Sequence, residues 1–404
     1  MLLLLRVHLS ASVSTNASPP RVFLLDAKQL ELSKARLRAG DTKYTPSLAE
    51  LQRNARALLQ AKIPSVSDKS QTPPSGDKHD YMSQAPYFWP NPNTSNGLPY
   101  IRRDGERNPE INRIPDHGNI LRVPENVETL ALAFYFTDDE VYATKAAEFI
   151  RVWFLGSDTR MNPNLQFAQA VPGVNSGRGI GLIESRELTR VVDAAGLLAG
   201  SKSWTGADQR GLEEWFRNFL RWMRESEHGR DEAAGRNNHG TYYDIQVASF
   251  ALFLDQRELA AQILEDAKQK RIAVQVEPDG RQPLELARTR AWSYSVANLS
   301  GLMQLAQLGE NVGVDLWHFE TTDGRSIRKA LDYLAPFSIG QVKWTHQQLG
   351  GFSGSALHPL IRIAAEKFLE PKYRTQAAKL PALPPESRLH LTRRGAGKGE
   401  EVNE

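Results

Sequence analysis

The stretch Arg236-Asn237-Asn238-His239-Gly240-Thr241-Tyr242-Tyr243-Asp244-Ile245-Gln246-Val247-Ala248-Ser249-Phe250-Ala251-Leu252-Phe253-Leu254 decides how this chain is read. Its first nine residues carry amides, an imidazole and phenols. The apolar run from Ile245 to Leu254 that follows predicts a helix from about Thr241 onward. The polar cluster therefore falls at a helix N-terminus, where free backbone N–H groups and the macrodipole favour an anion. Either Asn238 caps the helix and His239 is an ordinary polar residue, or the pair holds a carboxylate and moves a proton beside it.

The same helical spacing recurs across the chain. Leu24 to Arg38 and Ser47 to Ile63 read as helices, and so do Glu125 to Phe136, Asp139 to Phe154, Gly181 to Leu198 and Thr205 to Ser226. Arg257 to Lys270, Leu284 to Leu308, Gly324 to Ala335 and Ser355 to Phe368 continue the series. Strand-like alternation is scarce and no fixed-length repeat shows, so an all-α fold is expected: an incomplete α/α toroid of helical hairpins with a long substrate cleft. One domain spans residues 23–372. Residues 1–22 read as a leader or disordered lead-in, and residues 373–404 as a flexible tail. Between Pro64 and Pro124 lies a loop rich in Pro, Asn, Gly and Asp that also carries Tyr81, Tyr87, Phe88 and Trp89. Its aromatic content predicts an ordered loop lining the cleft, with Tyr87 and Trp89 packing on sugar rings.

Composition narrows the function. The 404 residues carry a net charge of +3, too small for a nucleic-acid field. There is no cysteine, which excludes disulfides, thiolate metal sites and a Cys nucleophile. No apolar run reaches membrane-spanning length, so no membrane partner is expected. The N-terminal MLLLLRVHLSASVSTNASPP resembles a weak signal peptide, and a periplasmic or secreted location is expected. His79 with Asp80, and His239 with Asp244, lack a third ligand, so no metal site is expected.

Two further stretches bear chemistry. In Glu285 to Asn298, helical spacing puts Arg290, Tyr294 and Asn298 one turn apart on one face. An Arg there would neutralise a carboxylate, and a Tyr would move a proton if nearby positive charge lowers its pKa. In Asn164 to Arg186, Gln169 and Arg178 reach out from a glycine-rich loop. That loop follows no strand and lacks the Lys-Ser/Thr ending of a phosphate loop, so no nucleotide site is expected.

Lys78-His79-Asp80-Tyr81, Asn237-Asn238-His239 and the Arg290-Ala-Trp-Ser-Tyr294 helix, in that order, resemble the alginate lyase superfamily. That group includes polysaccharide lyase family five and the glucuronan-active family thirty-eight. The resemblance implies an incomplete α/α toroid that cleaves an acidic uronan by β-elimination without a cofactor, leaving a 4,5-unsaturated end. It assigns catalytic roles to Asn238, His239 and Arg290, and Tyr294 is expected to join them. Lys78, Tyr81, Tyr87, Trp89, Gln169, Arg178, Asn237 and Tyr242 are expected to bind substrate. Alginate-cleaving members place a catalytic Tyr seven residues after the Arg, where this chain has Ala297. Tyr294 or Tyr242 then takes the role, and a broader uronan is expected. The alternatives are a non-catalytic uronan-binding protein and a glycoside hydrolase. The hydrolase would need two facing carboxyls, with Glu184, Asp244 and Glu285 as candidates.

Overall fold

Short polar side chains start many of the helices. Asp26 accepts the Gln29 amide ahead of α1 (Ala27–Arg38), and a proline in the first turn opens α2 (Thr45–Leu59). α3 (Asp116–Thr137) and α4 (Glu140–Ile150) form the next hairpin. α5 (Thr189–Leu197), α6 (Gly206–Glu225) and α7 (Glu227–Ala233) follow, with a reciprocal Thr205–Asp208 capping box at α6. Next come α8 (Asn238–Phe253), α9 (Arg257–Ala267), α10 (Ala273–Gln275), α11 (Pro283–Leu286) and α12 (Ala291–Glu310). α13 (Ile327–Ser338), α14 (His358–Lys367), α15 (Pro371–Ala378) and α16 (Leu389–Thr392) complete the series. The structure, a computed structural model, describes residues 19–393. Residues 1–18 and 394–404, where most of the leader and the end of the tail were expected, lie outside them.

Neighbouring helices pack on one another: α3 on α2, α4 and α5, α8 on α9 and α12, and α13 on α12 and α14. The last helix closes on the first, α16 against α1. This is the all-α toroid of helical hairpins that the periodicity predicts. At its centre is α8, buried at every position from Tyr243 to Phe253. A helix apolar on all sides is one surrounded by others.

The structure differs from the sequence reading in four places. The helix expected from Gly181 is a 3-10 run, Gly179–Leu188, before α5 begins. A Cβ on Gly181 would lie 2.8 Å from the Ala168 carbonyl oxygen, so the chain passes too close there for any other residue. The helix expected over Leu284 to Leu308 breaks at Ala287–Arg290, because the Thr289 amide and hydroxyl both bind Asp104. The long loop ends early, since α3 starts at Asp116 and carries Pro124 inside it. The expected tail is packed as far as Arg393: α15 buries Tyr373 and α16 buries Leu391. Burying one such side chain contributes about 1.5–3 kcal/mol, enough to hold a segment whose composition reads as loose.

The aromatic loop is ordered by two small sheets. β1 (Met82–Gln84) pairs in parallel with β4 (Phe167–Ala170), and β2 (Phe88–Trp89) pairs antiparallel with β3 (Ile101–Arg102). At the N-terminal end the chain is pinned by Asp193 of α5. Its carboxylate accepts the amides of Phe23 at 2.7 Å, Leu24 at 3.0 Å and Leu25 at 2.7 Å. Asp193→Ala removes three hydrogen bonds and is expected to cost about 3 kcal/mol. Denaturant unfolding checks the size, and hydrogen exchange should show protection lost at residues 23–25. Unchanged protection there would overturn the assignment.

Candidate active site

The first turn of α8 is built from its preceding loop. Asn237, not Asn238, is the N-cap: its side chain accepts the His239 amide at 3.3 Å. Asn238 is thereby freed to face α11, where its amide N–H and Nδ2 bind Glu285 Oε1 at 2.7 and 2.9 Å, and Nδ2 reaches Oε2 at 2.9 Å. Glu285 is buried, which pushes its carboxyl pKa up, while the Asn238 donors pull it down. His239 Nδ1 lies 2.8 Å from Oε1 of Glu232, a residue of α7 that is 1% exposed. A carboxylate only accepts, so Nδ1 carries the hydrogen, and in the neutral ring Nε2 then keeps its lone pair.

The loop between α7 and α8 is locked. Arg271 donates to the carbonyls of Ala233 at 2.8 Å and Gly235 at 2.7 Å, and pairs with Asp244 at 2.7 Å. A Cβ on Gly240 would fall 2.4 Å from that guanidinium and closer still to the Gly235 oxygen, so only glycine fits. Asp244 is thus a structural ion-pair partner.

A second group gathers at the start of α12. Arg290 is its N-cap residue rather than a residue of its face, and donates from Nε to the Gly105 carbonyl at 3.0 Å. Gly105 takes a left-handed φ of 76° to present that oxygen. Arg288, two residues earlier, binds Asp104 at 2.8 Å and lies 3.9 Å over the Tyr294 ring. Asp104 is held well below the usual carboxylate range by Arg288 and Thr289, against burial. The Tyr294 hydroxyl meets that of Tyr87 at 2.8 Å. Burial first, then Tyr87, pushes the Tyr294 pKa far up, and Arg288 offsets this only in part. The expectation of a lowered Tyr294 pKa is therefore corrected: at neutral pH it is a neutral phenol. Asn298, one turn after Tyr294 on α12, is turned to other partners: it is buried and bonded to Gln275, Gln282 and Thr241.

Arg178 forms the third wall. It donates to the Gln169 carbonyl at 3.0 Å and side-chain oxygen at 2.9 Å, and sits 4.9 Å over Phe88. Gln169 holds a left-handed φ of 51°, an uncommon conformation for a side chain this long, and it turns both oxygens to one guanidinium. Among the described residues neither Arg178 nor Arg290 has a carboxylate within ion-pair distance, although both are half-buried. Burial lowers the Arg178 pKa to about 10.

Four expected binding residues sit differently. Lys78 Nζ is held by the carbonyls of Lys69 at 2.6 Å and Ser70 at 3.2 Å, so its charge is directed into its own loop. Tyr81 is fully buried and donates to Glu184 at 2.6 Å, out of a polymer's reach. Trp89 donates to the Glu106 carbonyl, with Arg103 stacked 5.3 Å from its ring. Tyr242 donates to the Ala297 carbonyl at 3.1 Å, and burial pushes its pKa up to about 12. Beside Ala297 lies a recess of about 350 Å³ lined by Tyr242, Ser293, Val296, Ala356 and Leu360.

The family model for alginate lyase matches residues 65–344. The chain belongs to the alginate lyase family. An alginate lyase from Bacteroides ovatus of known structure is 38% identical to this lyase, with a TM-score of 0.88 over 92% of this chain and 99% of that one. Alginate lyase A1-III from Sphingomonas species A1 is 16% identical, with a TM-score of 0.52 over 86% and 96% of the two chains. A variant of A1-III complexed with tetrasaccharide is 15% identical, with a TM-score of 0.54 over 87% and 96%. These last two share the fold. No curated protein matches the chain.

The lyase has no pair of free carboxyls among the three weighed for a hydrolase. Glu184 is held by Tyr81 and Ser83, Asp244 by Arg271 and Glu285 by Asn238, and all three are buried. Sequence reasoning missed Glu232 and the pairing partners of Glu285 and Arg288. Glu232 lies seven residues before His239 but in a different helix, and Glu285 lies 47 residues from Asn238, so no single helical period links them; the chain breaks at residues 234–237 and 287–290.

Proposed function

We propose that this lyase cleaves a uronic-acid polysaccharide, alginate or a glucuronan-like polymer, with His239 as base and Tyr294 as acid. The reading is supported by two half-buried arginines, Arg178 and Arg290, that lack a carboxylate partner among the described residues, and by His239, whose Nδ1 is held by Glu232 so that its Nε2 edge is left open. Those cations suit the carboxylate of a bound uronate. The proton at C5 is α to that carboxylate, and its removal develops charge that Arg290 and the α8 N-terminus would stabilise, with Asn238, whose amide is spent on Glu285, holding that N-terminus in place. His239 Nε2 takes the C5 proton, the C4–C5 double bond forms and the C4–O4 bond breaks. The Tyr294 hydroxyl protonates the departing O4, a role that suits a phenol kept neutral by burial.

Ala297 and its recess support a substrate broader than polymannuronate alone. Incubation with polymannuronate, polyguluronate and glucuronan, followed by absorbance of the unsaturated product, tests the reading. Absorbance should rise with at least one polymer. New reducing ends without that absorbance would instead mark a hydrolase, and binding without turnover a saccharide-binding protein.

A further inference from the structure

We propose that His117 is a further substrate-contacting residue, presenting its Nε2 edge to the same uronate carboxylate that Arg178 faces. This rests on the uronan reading above, but the reaction written there does not use His117.

The argument starts from Glu184. It is 2% exposed, and its Oε2 accepts the hydroxyls of Tyr81 and Ser83, each at 2.6 Å. Burial disfavours its charge, but His117 and the two hydroxyls outweigh burial and keep the carboxyl below its ordinary range. Its other oxygen, Oε1, lies 3.1 Å from His117 Nδ1. That Nδ1 is buried and stands off the line of an ideal hydrogen bond, although the His117 side chain as a whole is 16% exposed. The open part of the ring is therefore its other edge, the one that carries Nε2. Among the described residues, no protein group bonds that nitrogen.

His117 thus repeats the arrangement of His239 and Glu232: an imidazole turned by a buried carboxylate so that Nε2 faces outward. Arg178 lies within the electrostatic reach of both carboxylates, Glu184 and Glu232. Its partner Gln169 is tied to the same Glu184 network, since the Gln169 amide donates to the Ser83 hydroxyl at 2.8 Å. An arginine without an ion pair of its own, tied through Gln169 and Ser83 to the carboxylate behind His117, suits an anion. A carboxylate bound to Arg178 would meet the Nε2 edge of His117, where an N–H is a second donor, with Glu184 behind the ring. Loose alignment of Nδ1 in the free protein is expected of a bond that tightens when the anion arrives.

The test is calorimetric titration with tetrasaccharides of mannuronate and of glucuronate, and with their methyl esters, which lack the negative charge. All proteins carry Tyr294→Phe to suppress turnover. His117→Ala should weaken binding of the free acids at least tenfold, the worth of one charge-assisted hydrogen bond, and leave binding of the esters unchanged. His117→Gln, which keeps an N–H donor, should recover part of the loss. Equal weakening of acids and esters would mark a merely structural role and overturn the proposal, as would no weakening at all. Binding of acids and esters that His117 substitutions leave alone overturns this proposal while the uronan reading stands. Failure of both acids to bind the protein with His117 intact overturns both.

Discussion

Tyr294→Phe is expected to lower kcat for unsaturated-product formation about 10³-fold, the range that positioned acid catalysis supplies. The reason lies in what the hydroxyl touches. Among the described residues it bonds only to the Tyr87 hydroxyl, so its loss leaves the ring under Arg288 and the fold intact. KM should change little, because the phenol acts on the departing oxygen and not on the carboxylate. Absorbance kinetics check this, with the unfolding midpoint as control. A variant that retains wild-type kcat would move the acid role elsewhere. Tyr242→Phe, which loses a bond to a backbone carbonyl, should keep most of the activity.

The reading of this region from sequence was half right, and the reason is physical. Arg290 and Tyr294 are four residues apart and the helix does bring them together, since the Tyr294 amide donates to the Arg290 carbonyl. What spacing could not show is that Arg290 stops short of the helix, because Asp104, 185 residues away, binds the Thr289 amide. Lys78 and Tyr81 were read from motif position as substrate contacts. Their polar ends are satisfied inside the protein, Lys78 by nearby carbonyls and Tyr81 by Glu184, 103 residues distant. A sequence shows which residue types are present, but not which partner takes each donor when the partner lies far along the chain. Asn238 and His239 were legible because their setting is local: a polar cluster directly before an apolar run.

His239→Ala removes the proposed base and is expected to lower kcat about 10³-fold, with KM nearly unchanged. Glu232→Gln is the more telling partner experiment. A carboxylate at Glu232 requires the hydrogen on Nδ1, whereas the amide of Gln accepts or donates and lets the ring hold the other tautomer. That substitution should reduce kcat by about 10²-fold while His239 itself remains, as the base is then protonated on the wrong nitrogen for part of the time. If Glu232→Gln leaves kcat unchanged, the tautomer is set by something other than Glu232 and the base assignment to Nε2 loses its support.

The Arg271 cage around Gly235 and Gly240 has a consequence for the entropy of the reaction. A catalytic loop that is loose before binding must be ordered by the substrate, and that ordering is subtracted from affinity or from rate. Here the turn that delivers His239 is fastened to Asp244 and to two carbonyls before any polymer arrives. The ordering was completed when the chain folded, so its free-energy cost falls on protein stability and not on turnover. On the proposed mechanism the imidazole would meet each sugar ring already aimed, and the rate would then depend on how the polymer positions itself against a fixed base.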